Sequence, residues 1–322
     1  MRAIVQDIYG DSSVLRNADA DRPVVGENDV LIRVAATSLN IGDWHLMTGL
    51  PLVARAVLGL RAPRSRIRGM DVAGTVAEVG GPATGFAIGD EVFGVGDGGL
   101  AEFSRASAAA IVHKGSELGF AEASALPTSA TTALHALREA GGVQAGQKVL
   151  VIGASGGVGI YAVQMAKAFG ALVTGVCGPA KAELVWRLGA SQVIDYTAVD
   201  ITAAGERYDL IVDMAGNRPL SQLRTMLTPH GSVVIVGGEG GSRFLGGLSR
   251  LLGASATSPP RSQKARGLIS TTRASDLQTL LDLVETRKIV PVIDSTYPLS
   301  SGVEAMRRLE SGAAVGKIVV VQ

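Results

Sequence analysis

Lys148-Val149-Leu150-Val151-Ile152-Gly153-Ala154-Ser155-Gly156-Gly157-Val158-Gly159 is the stretch on which the fold turns. Val149 to Ile152 reads as a buried strand that runs straight into a glycine bend. A helix follows, with apolar positions at Val158, Ala162, Met165, Ala166 and Phe169, and Gly170 ends it. Only glycine lets a backbone turn this tightly, approach a pyrophosphate closely and leave room for the helix against a sheet. The helix N-terminus adds unpaired amides and a partial positive charge. Strand, bend and helix in that order point to a dinucleotide site.

Working outward, apolar strand-like runs recur at Leu172 to Val176, Val193 to Ile194, Leu210 to Val212, Val233 to Val236 and Gly267 to Ile269, mostly alternating with helical stretches. With Val149 to Ile152 they predict a doubly wound parallel sheet covered on both faces. Before about Glu122 the rhythm differs. Short runs at Ala3 to Val5, Val30 to Ala36, Val72 to Val79, Val92 to Phe93 and Ile111 to Val112 are punctuated by Gly, Pro, Asn and Asp, which predicts a barrel-like all-β unit. After about Arg273 come helices at Asp276 to Thr286 and Gly302 to Glu310 and a strand at Lys317 to Val321, a tail expected to return to the first domain. The expected division is 1–122 with 273–322, and 123–272. Leu50 to Arg68, dotted with arginines, and the glycine-rich Glu239 to Arg266 fit neither rhythm and are candidate lids or contact surfaces.

Composition removes several classes of function. With 30 Lys and Arg against 29 Asp and Glu, the net charge of +1 gives no field for gripping a nucleic acid or an acidic membrane. Mean hydropathy is +0.29, yet no stretch reaches the roughly 18 apolar residues of a spanning helix, so a soluble chain with no membrane partner is expected. Met1 to Asp7 reads as the start of a strand and not as an export signal, and a cytoplasmic location is the expectation. Cys177 is the single cysteine; with His45, His113, His135 and His230 scattered, no zinc-ligand cluster is visible.

The end of the second strand of the parallel sheet discriminates between dinucleotides. An NAD site places an Asp or Glu there to accept from the ribose hydroxyls, whereas this chain reads Cys177-Gly178-Pro179-Ala180-Lys181. A 2′-phosphate would be repelled by a carboxylate and attracted by Lys181, which favours NADPH. The alternative is that Lys181 is an ordinary residue of a helix's first turn.

These motifs identify the chain, by resemblance, as a member of the medium-chain dehydrogenase/reductase superfamily, in its zinc-free quinone oxidoreductase branch. Four segments carry the likeness: Gly69-Met70-Asp71-Val72-Ala73-Gly74-Thr75-Val76 with Val79-Gly80; Leu126-Pro127 with Thr131-Thr132-Ala133-Leu134; the glycine bend; and Leu188-Gly189-Ala190 with Val193-Ile194-Asp195-Tyr196. The resemblance implies an α/β chain, a GroES-like β-barrel catalytic domain beside a Rossmann-type cofactor domain, and a homodimer formed through the cofactor domains. Zinc-dependent relatives carry a ligating His after the first Gly of the barrel signature and cysteines elsewhere in the barrel. Met70 stands there instead, so no metal is expected.

The same resemblance implies that the bend from Ser155 through Gly156, Gly157, Val158 and Gly159 meets the pyrophosphate. Lys181 and Tyr196 would contact the 2′-phosphate, Thr132 would lie near the nicotinamide, and Gly237 and Gly238 would border its ring. Leu39 to His45 falls where the family lines its substrate pocket, making Asn40, Asp43 and His45 the candidates for orienting a carbonyl or relaying a proton. Relatives often carry a Tyr or Lys in this stretch; His45 and Met47 depart from that. An Asn or Asp in this position also reads as a turn or helix cap. The expected activity is NADPH-dependent hydride transfer to a small quinone or activated alkene. Metal-free carbonyl reduction and NADPH binding without turnover are the alternatives.

Overall fold

The computed structural model describes residues 1–81, 85–203, 205–237, 243–247, 250 and 263–322. Gly238 and most of the segment Glu239 to Arg266 therefore lie outside the described residues. The chain forms two units: Met1–Thr131 with Thr271–Arg287 and Pro291–Gln322, and Thr132–Ser270 with Lys288–Val290. Residues 123–131 go with the first unit because polar contacts hold them there. Ser38 Oγ donates to Ser124 O at 2.7 Å, and Thr128 and Ser129 bond to Asp71 and Asn40.

In the first unit, β1 (Arg2–Val5) pairs antiparallel with β2 (Arg16–Asp19). The long β3 (Asp29–Leu39) pairs with β4 (Asp71–Val79) and with β6 (Phe103–Ser107), while β5 (Glu91–Val95) joins β4 to β7 (Ile111–His113). Val30, Ile32, Val72, Val76, Val92, Ala106 and Ile111 fill the core these strands enclose. Helix α1 (Ile41–Thr48) leaves the end of β3, followed by the short α2 (Arg55–Leu58), α3 (Phe120–Ser124) and α4 (Pro127–His135). Strands β2 and β6 escape the hydrophobic pattern for a simple reason. β2 is largely exposed, and β6 buries only the small Ser104 and Ala106.

The Leu50 to Arg68 segment packs onto this unit. The Arg55 guanidinium donates to Gly49 O and Thr48 O and lies 4.3 Å above the Tyr9 ring. Arg66 pairs with Asp7, and Arg68 is buried.

The second unit is a six-stranded parallel sheet built from β8 (Lys148–Ile152), β9 (Leu172–Cys177), β10 (Gln192–Asp195), β11 (Tyr208–Asp213), β12 (Leu227–Ile235) and β13 (Lys264–Gly267), in the order β10-β9-β8-β11-β12-β13. The helices α5 (Gly159–Ala168), α6 (Ala182–Arg187) and α7 (Leu220–Thr225) belong to it. The order reverses between β8 and β11, and this switch places the glycine bend at the carboxyl edge of the central strands. β13 starts before the apolar run Gly267 to Ile269 because an edge strand needs only one covered face, and Ala265 supplies it.

The tail contributes α8 (Ala274–Glu285), β14 (Ile293–Pro298), α9 (Gly302–Glu310) and β15 (Lys317–Val321). β15 runs antiparallel to β3, with Ile318 opposite Leu39 and Val321 opposite Ala36, so the tail completes the first unit's sheet. Among the described residues no helix is long and apolar enough to cross a membrane.

Candidate functional site

The glycine bend opens where β8 stops. Gly153 adopts φ +85°, and the amides of Gly153 and Ala154 both donate to Val176 O, at 3.1 and 3.0 Å, which fastens the bend to β9. Gly159 must be glycine: a Cβ there would lie 2.1 Å from Gly153 O. Gly156 is different, since a Cβ would meet Gly153 O only at 3.5 Å, an ordinary contact. Ser155 is buried, while Gly156, Gly157 and Val158 are partly exposed in front of α5. The bend therefore fits a dinucleotide phosphate in just the places where the protein's own atoms do not fill the space.

Beyond β9, Pro179–Lys181 form a 3₁₀ turn closed by Lys181 N donating to Gly178 O at 3.0 Å. Tyr196 is 55% exposed, and its ring stands 3.8 Å from the Cβ position of Gly178. Asp195 ends β10 in register with Cys177, so an acid stands one strand away from the end of β9. Its Oδ1 accepts from Thr197 N and Oγ1, at 2.9 and 2.7 Å. Burial pushes the Cys177 thiol up, Asp195 adds to that and Lys181 opposes it, so both charges are felt at the same spot. At Gly237 a Cβ would lie 2.0 Å from Met214 O, so the fold itself requires that glycine. Thr132 is half-buried in α4.

In the first unit Asn40 and Asp43 begin α1. Asp43 Oδ2 accepts from Asn40 N at 2.9 Å and Oδ1 from Gly69 N at 2.8 Å, which ties the helix start to the barrel signature. Asp43 is fully buried, and burial pushes its carboxyl up to about 6 against the two amide bonds. Asn40 donates to Asp71 Oδ2 at 2.9 Å, and its Oδ1 accepts from Ser129 Oγ at 3.0 Å and from the Lys317 ammonium. Lys317, 1% exposed, also donates to Leu39 O at 3.1 Å and Ser129 Oγ at 3.0 Å, with Asp71 at 3.6 Å. Burial pushes this ammonium's pKa down, and Asp71 and Asp43 oppose the shift.

Of the three residues, His45 has the most accessible surroundings: it is half-buried, with Nδ1 at 2.9 Å from Leu50 O. A carbonyl only accepts, so Nδ1 carries hydrogen and Nε2 is left to exchange a proton. Asp71, Ser129 and Lys317 were not among the candidates. The signal that marks two of them is a charge at the head of an apolar strand, Asp71 on β4 and Lys317 on β15, because a buried charge requires a partner; Ser129, uncharged and inside α4, carries no such signal.

The chain matches the family model for the alcohol dehydrogenase GroES-like domain over residues 26–134 and that for zinc-binding dehydrogenase over 188–320. It is 35% identical to the chloroplast envelope quinone oxidoreductase homolog of Arabidopsis thaliana, across 99% of this chain and 98% of that one. Among solved structures, the quinone oxidoreductase from Coxiella burnetii superposes with a TM-score of 0.87 at 31% identity, covering 100% of this chain and 99% of that one. CurK enoyl reductase gives 0.85 at 25% identity, covering 99% and 98%. A GroES-like barrel with a Rossmann-type parallel sheet defines an oxidoreductase of the medium-chain dehydrogenase/reductase superfamily. This chain belongs to that superfamily, in its quinone oxidoreductase-like branch.

One matching model is described as zinc-binding, and the residues at the barrel signature do not fit that metal. Met70 occupies the position after Gly69, the single cysteine lies in β9 of the other unit, and the Asp71 carboxylate faces the Lys317 ammonium. A three-ligand zinc site needs nitrogen or thiolate donors that this position lacks.

Proposed function

We propose that the chain is a zinc-independent, NADPH-dependent reductase acting on quinones or activated alkenes such as enones and enals. The observation that carries this reading is the combination at two motifs: a dinucleotide bend intact to its last glycine, and a barrel signature whose carboxylate is committed to an ammonium. The relatives named quinone oxidoreductase and enoyl reductase support the substrate class.

NADPH supplies the hydride; the chain's residues bind, orient and protonate. The backbone of Ser155 to Gly159 would hold the diphosphate, and Lys181 with Tyr196 the 2′-phosphate, while Thr197 keeps Asp195 engaged. Thr132 and Gly237 would flank the nicotinamide. A quinone or enone spreads the charge that hydride addition creates, so a hydrogen-bond donor at its oxygen replaces a metal. In this reading the donor is His45 as imidazolium: its Nδ1–H is spent on Leu50 O, so Nε2 donates to the substrate oxygen only when it too carries a proton. Asn40 and Asp43 act as positioning residues that hold the start of α1.

Incubation of NADPH with a panel of enones and quinones tests the reaction: a saturated ketone or a hydroquinone supports it, and an allylic alcohol, or no NADPH oxidation with any member of the panel, overturns it. Lys181→Ala should raise the NADPH Kd about tenfold and leave that of NADH nearly unchanged; equal losses would remove the assigned role.

A further inference from the structure

We propose that Arg250 is an additional anion-binding residue of the dinucleotide crevice, donating hydrogen bonds to the cofactor's diphosphate. Arg250 lies in the segment Glu239 to Arg266, to which the reductase reading gives no role. Its Nη2 donates to Asp213 Oδ2 at 2.5 Å. Asp213 is the last residue of β11, opposite Ile152 at the end of β8, and the glycine bend begins immediately after Ile152. The other Asp213 oxygen accepts from Ala215 N and Gly216 N at 3.2 and 3.1 Å, so the carboxylate is fixed and its side chain is 1% exposed. The guanidinium is thereby pinned at the carboxyl edge of the two central strands, the place where open parallel sheets bind their ligands.

Among the described residues, two of its donor atoms remain unused. Nε and Nη1 are buried and have no hydrogen-bond partner among the described residues. A buried donor left unsatisfied costs free energy, and a guanidinium carries five N–H groups in a rigid plane suited to phosphate oxygens. Asp213 neutralises the cation enough for it to be held in place without a ligand, yet it occupies only one edge of the plane. The glycine bend beside it offers backbone dipoles and no formal charge, so the cation supplies what the bend lacks.

This inference rests on the NADPH reading, and titration calorimetry separates the two. NADPH and adenosine 2′-monophosphate, which has the 2′-phosphate but no diphosphate, are titrated into wild type and Arg250→Gln. A wild type that fails to bind NADPH overturns the NADPH reading itself. If it binds, Arg250→Gln should raise the NADPH Kd about tenfold or more while adenosine 2′-monophosphate changes less than about twofold. An unchanged NADPH Kd, or equal losses for both ligands, overturns the role of Arg250. Should Arg250→Gln fail to fold, Arg250→Lys decides: its ammonium keeps the charge without the planar donors, and a loss of several-fold confined to NADPH is expected, with no loss overturning the proposal.

Discussion

Replacing Lys317 with Met removes the ammonium that faces Asp71 and leaves the carboxylate in the same dry setting. Lys317 is 1% exposed and Asp71 has no exposed surface, so water cannot reach in to compensate. Asp71 keeps its bonds from Thr128 N at 3.0 Å, Thr128 Oγ1 and Asn40 Nδ2, while Leu39 O and Asn40 Oδ1 lose the ammonium and Asn40 Oδ1 keeps only Ser129 Oγ. Breaking a buried pair from one side costs about 3–5 kcal/mol, a large part of a typical domain's roughly 5–15 kcal/mol. Lys317→Met should therefore destabilise the first unit by about 3 kcal/mol or more. Adding Asp71→Asn removes the stranded charge and should restore about 1–3 kcal/mol. Because a two-unit chain need not unfold in one step, the assay needs a local reporter. Trp44 lies in the first unit and Trp186 in the second, so urea unfolding followed by tryptophan fluorescence in a Trp186→Phe background reports the first unit alone. A loss below about 1 kcal/mol, or a double variant no more stable than Lys317→Met, would refute the claim that this pair is a mutually dependent buried charge couple.

Two further perturbations test other parts of the same argument. Gly159→Ala sets a methyl group 2.1 Å from Gly153 O and should lower the melting temperature by several degrees, whereas Gly156→Ala, at 3.5 Å, should leave it unchanged and weaken NADPH binding alone. Equal thermal losses, or wild-type affinity in Gly156→Ala, would contradict that division of labour. Asp43 is held near 6 in the folded chain against about 3.9 when unfolded, so the native state binds the extra proton between those values. Its contribution is then fully present below about pH 4 and is lost as pH rises through about 6, a fall of roughly 3 kcal/mol in unfolding free energy. Asp43→Asn should lack that component of the pH profile; an identical slope from pH 4 to 7 in both proteins would show that Asp43 is not the group responsible.

Legibility in the sequence followed the range of the interactions involved. The glycine bend could be read because strand, turn and helix are contiguous, and each glycine answers to a constraint set within a few residues, as Gly159 does to Gly153 O. Strands β3, β4, β8, β9 and β11 announce themselves through apolar runs that are buried in the structure. β2, β6 and β14 do not, because they hold their places through backbone pairing and bury little apolar surface.

The polar site was opaque for the opposite reason. Asn40, Asp71, Ser129 and Lys317 meet only after β15 has returned to lie beside β3, and no spacing rule relates position 40 to position 317. Asp43 drew attention as a candidate catalyst because an acid after a strand is chemically versatile, and nothing local reveals that both of its oxygens are occupied by amides. One signal does survive at the level of sequence. A charged residue at the end of an apolar strand, as with Asp71, Asp213 and Lys317, must either reach water or find a partner. In this chain all three found partners, with Asp71 beside the start of α1 and Asp213 opposite the strand that runs into the glycine bend. A strand-terminal charge is thus a better pointer to where this fold must bring distant segments together than the identity of any single catalytic-looking side chain.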